Sequence, residues 1–228
     1  KRLPQFNNRN LFSAYVVQSA NVRRYCIESG IDKQLVHVLG SARFSKEWSE
    51  INYNLCVSPI NTNKLEGITT VVFFLNHWTY NVDREKCLSL LKRIAGQEHT
   101  RLVIKGHTRG RSVGGLSSSE EKSLGSFKSL IYADDRIHSP ELVHQADVVV
   151  VYGSSICFEA LRQRKLVCWP KFVCHNDTIF DRAEVVSIAN TEEDVVNFIH
   201  AYRNGKIVEP SEDEVRREAD SAFQPSES

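Results

Sequence analysis

Methionine is absent from all 228 residues, proline occurs only 6 times, and neither sign of charge dominates, with 29 Lys+Arg against 28 Asp+Glu. A formal net charge of +1 excludes a protein that coats nucleic acid by bulk electrostatics, and no nucleic-acid partner is expected. Long apolar runs are missing too: the longest, residues 70–75 and 148–152, have the length of a strand and not of a membrane span. Residues 1–10 are polar and lack the layout of a signal peptide. Cys26, Cys56, Cys87, Cys157, Cys168 and Cys174 include no C-x-x-C pair and no Cys/His cluster with zinc spacing. These absences predict a cytoplasmic protein of reducing surroundings, without disulfides, without a metal, and at most peripheral at the inner face of a membrane. A first residue of lysine and the missing methionine predict a piece of a longer chain.

What the sequence does contain is alternation. Short β-rich runs at 14–18, 35–39, 70–75, 101–105, 129–132, 147–152 and 166–169 are separated by amphipathic segments at 20–29, 83–95, 140–145, 155–164 and 192–203. Gly30, Gly96 and Gly205 stand just past three of those segments, where a helix end favours glycine. Val148–Val151 is apolar on both faces, the pattern of a central parallel strand covered by helices on each side. The predicted fold is α/β, a Rossmann-like doubly wound parallel sheet spanning 14–205. Residues 1–13 read as a linker or the remnant of an upstream domain, and 206–228 as a polar tail with a helix near 212–223. Residues 108–128, rich in glycine and serine, read as a mobile loop carrying at most a short helix.

Ligands of open parallel sheets bind beyond the carboxyl ends of the strands. After residues 147–152 come Gly153, Ser154 and Ser155 and then a predicted helix, whose first N–H groups suit a phosphate approaching over Gly153. Glu159 lies one turn deeper than Ser155, where a carboxylate can accept from a ribose diol; the plain alternative is a helix cap followed by a solvated acid. Lys105 and His107 share a face at strand period and suit a pyrophosphate or a developing leaving-group charge. Arg43 follows another strand and is placed to reach a phosphate, while His77 and Trp78 can line the same cleft. Arg109 and Arg111 read as solvated surface cations, and Lys171 follows the strand at 166–169. No G-x-x-x-x-G-K-[ST], G-x-G-x-x-G or G-x-S-x-G motif is present, which excludes the commonest nucleotide hydrolases, dinucleotide dehydrogenases and α/β-hydrolases.

The order of these motifs resembles the C-terminal, donor-binding half of GT-B glycosyltransferases, above all bacterial surface-polysaccharide and CDP-glycerol glycerophosphotransferase-type proteins. Gly30-Ile31, Val36-His37-Val38-Leu39-Gly40-Ser41-Ala42-Arg43-Phe44, Lys105-Gly106-His107-Thr108 and the stretch 140–172 carry the likeness. Gly106 and Thr108 stand where those proteins have prolines.

The resemblance implies a nucleotide-diphosphate donor, CDP- or UDP-linked, as substrate, with no permanently bound cofactor. Gly153, Ser154 and Ser155 would hold the diphosphate, Glu159 the ribose, Lys105 and His107 the leaving-group charge, with Arg43 assisting. A glycan or lipid-linked acceptor would be met by an N-terminal domain that these residues do not contain. The alternatives are a UDP-N-acetylglucosamine 2-epimerase-like enzyme, which shares the fold, and a non-catalytic interaction domain.

Overall fold

The computed structural model describes residues 12–55, 66–107 and 114–223. Its centre is a 6-stranded parallel sheet in the order β5-β4-β3-β6-β7-β8. The strands are β3 (Thr69–Phe74), β4 (Thr100–Lys105), β5 (Leu130–Ala133), β6 (Val148–Val151), β7 (Leu166–Pro170) and β8 (Val186–Ala189). Every residue of β3, β6 and β7 is buried, as strands covered on both faces must be.

Helices supply the cover. In α3 (Arg84–Ala95), Cys87, Leu90, Leu91, Ile94 and Ala95 form one buried stripe, and Asp83 caps the start by accepting from the Lys86 N–H. Around the sheet also lie α4 (Ser118–Leu124), α5 (Ser139–Gln145), α6 (Ile156–Arg162), α7 (Glu192–Arg203) and α8 (Glu212–Phe223). Asp147, at the foot of β6, accepts from the Thr70 N–H at 2.8 Å and from the Tyr202 hydroxyl at 3.0 Å, which ties α7 to the sheet. Burial beside this carboxylate pushes the Tyr202 phenol up to about 12.

The sheet differs from expectation at its start. β1 (Tyr15–Val17) and β2 (Val36–Val38), with α1 (Ala20–Glu28) between them, were expected to join the main sheet and instead form a separate parallel pair. No residue of α1 is buried, and Phe12, Val16 and Leu39 are exposed apolar side chains on this unit. A three-residue strand buries too little apolar surface to hold a place in the main sheet, whose edge strands are β5 and β8. Two elements were not foreseen. One is α2 (Lys46–Leu55), a polar helix; the other is β8, a four-residue run at the sheet edge that follows a polar loop. The expected short helix in the glycine-serine segment is α4, closed by a capping box between Ser117 and Glu120. The expected linker at 1–13 lies outside the described residues apart from its last two, and so do Cys56, Arg109, Arg111 and the end of the tail, 224–228.

Candidate functional site

Because β4 and β5 lie on one side of β3 while β6, β7 and β8 lie on the other, the winding reverses between β3 and β6. The register sets Phe74 beside both Lys105 and Val151, so the carboxyl ends of β3, β4 and β6 are level. Asn76, His77, His107 and the Gly153–Ser155 turn therefore emerge at one crevice, the reversal point where doubly wound sheets take ligands.

Asn76 is the residue that sequence reasoning passed over. It is 3% exposed, and its Nδ2 donates to the carbonyls of Tyr152 at 3.2 Å and Gly153 at 3.0 Å. Its Oδ1 accepts from the His77 N–H at 2.8 Å, so one amide couples the turn after β3 to the turn after β6. Gly153 has φ +59, and a Cβ there would lie 2.6 Å from the Asn76 Nδ2. Glycine is required twice over, by backbone conformation and by space. A Cβ on Gly114 would overlap that of His107, whose N–H donates to the Gly114 carbonyl at 2.9 Å. The one signal for Asn76 in the sequence is a polar side chain directly after the apolar run 71–75.

Ser154 and Ser155 follow Gly153 at once. The Ser154 hydroxyl accepts weakly from the Ile156 N–H at 3.4 Å, and the Ser155 side chain is exposed and makes no capping bond to α6. Glu159, one turn into α6, meets Arg43 from the 3-10 turn Ala42–Phe44 that follows β2. Arg43 Nε and Nη2 both donate to Glu159 Oε1, at 2.8 and 2.5 Å, while Oε2 is buried without a hydrogen-bond partner. The acid is the enclosed partner, with 11% of its side chain exposed against 57% for Arg43. Next to the pair, Phe44 packs on Phe158 at 5.4 Å, which in turn packs on Phe180 at 4.5 Å. The two residues expected to face a ligand separately are thus brought to each other.

Lys105 departs from its expected setting. It is 1% exposed, and its Nζ donates at 2.7 Å to the carbonyl of Asp134, just beyond β5. That reach leads away from the crevice between β3 and β6. Burial lowers its pKa, opposed by Asp135 and Asp134. His107 stays at the crevice, its ring edge-on to that of His77 with centroids 5.8 Å apart. Trp78 turns out to pack: Nε1 donates to the Gly115 carbonyl at 2.9 Å, and Arg84 covers the ring at 4.8 Å. Lys171 is drawn into its own loop, donating to the Asn176 carbonyl and pairing with Asp181, each at 2.8 Å. Among the described residues no group of three or more His, Cys, Asp or Glu side chains is placed to hold a metal. A shallow depression of ≈ 920 Å³ lies at the opposite, N-terminal edge of the sheet, beside Thr69, Asp147, Arg164 and Tyr202, and is separate from this crevice.

A doubly wound parallel sheet with a glycine-serine turn at its reversal point defines a Rossmann-like α/β domain. Residues 58–181, more than half of the chain, match the family described as capsule polysaccharide biosynthesis protein, and the chain belongs to that family. No curated protein matches the sequence. Among solved structures, a putative UDP-N-acetylglucosamine 2-epimerase from Listeria monocytogenes superposes with a TM-score of 0.62 at 10% identity, covering 91% of this chain and 54% of that one. The Methanocaldococcus jannaschii UDP-GlcNAc 2-epimerase, in complex with UDP-GlcNAc and UDP, gives 0.58 at 10% identity over 90% and 59%. Anabaena HepE in complex with UDP gives 0.53 at 13% identity over 92% and 60%. At such identities the likeness establishes the fold, and the chain spans 54% to 60% of the length of these structures. Among the described residues no helix is long and apolar enough to cross a membrane.

Proposed function

We propose that the crevice between β3 and β6 is the donor site of a nucleotide-diphosphate-dependent transferase in capsule or related surface-polysaccharide synthesis, taking a UDP- or CDP-linked sugar or polyol. The observation that carries this reading is the Tyr152–Ser155 turn. Asn76 holds the turn at the reversal point, Gly153 presents bare backbone, and the Ser155 hydroxyl stands open beside it. Bare N–H groups and a hydroxyl bind a diphosphate without the steric cost of side chains. The bound nucleotides named for the neighbouring structures support the donor class.

In this reading Glu159, held by Arg43 on Oε1, takes the ribose hydroxyls through the 11% of its side chain that stays exposed. His107 offsets charge on the departing diphosphate. Lys105, with its Nζ on the Asp134 carbonyl, makes no contact with the donor. A glycan or lipid-linked acceptor would be presented by further protein at the inner membrane face. Membership of the capsule biosynthesis family favours a transferase over the epimerase alternative. Titration calorimetry of the chain with UDP, CDP, GDP, ADP, UMP and CMP tests the assignment. One diphosphate should bind saturably, and Glu159→Ala should weaken it; absence of uptake of all six would overturn the reading.

A further inference from the structure

His77 has no assigned role, yet its imidazole is held on two sides by its own turn. The Thr79 backbone N–H points at Nδ1 at 3.3 Å, and the Thr79 hydroxyl lies 2.7 Å from the same nitrogen. A backbone N–H can only donate, so Nδ1 is the acceptor and the neutral ring carries its proton on Nε2. Tyr80 stacks on the ring with centroids 4.9 Å apart and planes 26° from parallel, which fixes its plane. His77 is half-buried, and its own N–H is held by Asn76, the residue that binds the Gly153 carbonyl. A ring whose tautomer, plane and backbone are all set locally is a pre-oriented N–H donor, and such donors act without reorganising when charge arrives.

We propose that His77 is a further donor-site residue, its Nε2–H donating to the distal phosphate of the nucleotide diphosphate beside His107. This rests on the donor-site reading above and adds to it the group that distinguishes a diphosphate from a monophosphate. The position fits because Lys105 is engaged at Asp134 and Arg43 at Glu159. The two imidazoles at the ends of β3 and β4 are then the ring donors lining the β3 side of the crevice, across from Gly153.

The test is a titration of the full chain with UDP and CDP against UMP and CMP, repeated for His77→Phe and His77→Gln. Phenylalanine keeps a ring on Tyr80 and removes the donor, whereas glutamine returns an N–H close to the Nε2 position. His77→Phe should weaken the diphosphate about tenfold or more, the worth of a hydrogen bond to a charged oxygen, and leave the monophosphate unchanged. His77→Gln should restore part of the loss. Equal losses for both nucleotides, or no loss, overturn the inference while the wild-type binding stands. No uptake by the wild-type chain overturns the donor-site reading and takes this inference with it. A second measurement needs no ligand: the imidazole ¹⁵N shifts of wild-type His77 should report an unprotonated Nδ1. A protonated Nδ1 in the neutral ring overturns the pre-oriented donor.

Discussion

Replacing Gly153 by alanine perturbs the crevice at the point where conformation and packing meet, and the cost can be worked from two separate terms. The first is backbone strain. At φ +59 an alanine sits in the left-handed region at about 1 kcal/mol above glycine. The second is collision with Asn76: the new Cβ would lie 2.6 Å from Nδ2, against the roughly 3.5 Å of an ordinary contact, so the buried amide must move. Its bonds to the Tyr152 and Gly153 carbonyls are then lost or lengthened, at about 1 kcal/mol each and more if the buried Tyr152 carbonyl stays bare. Gly153→Ala should therefore destabilise the fold by about 3–4 kcal/mol, read as a fall in the denaturant midpoint at constant slope.

The double mutant separates the two terms. With Asn76→Ala already made, no amide remains to displace, and Gly153→Ala should cost only its backbone term of about 1 kcal/mol. The coupling energy between the two positions is then about 2 kcal/mol, well outside the roughly 0.5 kcal/mol scatter of independent sites. Additive effects within that scatter, or a loss below about 1 kcal/mol for Gly153→Ala alone, would refute the claim that Asn76 holds this turn.

Three other outcomes follow from the structure. Burial pushes the Cys87 and Cys168 thiols up to about 12, and Cys157 higher still, so all three should resist a thiol-specific reagent at pH 8 in the native chain and react on unfolding, whereas the partly exposed Cys26 should react at once; labelling of Cys87 in the folded chain would contradict its packing. Hydrogen bonds from Arg84 hold the Glu120 carboxyl down to about 2 from 4.5, so its contribution is fully present above pH 4.5 and is lost as pH falls towards 2. Because Arg84 is 43% exposed, screening limits that loss to about 1 kcal/mol, and Arg84→Gln should flatten this part of the acid unfolding curve; an unchanged curve would show the pair contributes nothing. Lys105→Met should leave diphosphate affinity at the wild-type value, since the ammonium reaches Asp134 and not the crevice; a large drop in calorimetry would return Lys105 to direct contact.

Much of the sheet was legible in residue order. β3, β4, β6 and β7 lie within one or two residues of their expected bounds, and α7 spans the expected 192–203, because burial on both faces of a strand and on one stripe of a helix writes itself into local apolar period. The site's location was legible in part, since Gly153 before two serines marks a strand end that must turn tightly against something. The glycine alone does not say what it turns against. β8 and α2 escaped because an edge strand of 4 residues and a polar helix bury too little to leave a period.

Other properties were decided only by the tertiary structure. Arg43 and Glu159 are 116 residues apart, and their pairing depends on how the 3-10 turn Ala42–Phe44 lies against α6. Lys105 stands at a strand end with carboxyl-terminal neighbours on both sides, and the order of strands, not its own surroundings in sequence, turns it towards Asp134. Asn76 acquires a task only once β6 is laid beside β3 with Phe74 level with Val151. Apolar periodicity is a local quantity, set by which side of each element meets the core, and a single sequence therefore carries it. Which cation meets which anion, and which amide spans two turns, are properties of strand order and register, and these exist only after the chain has folded.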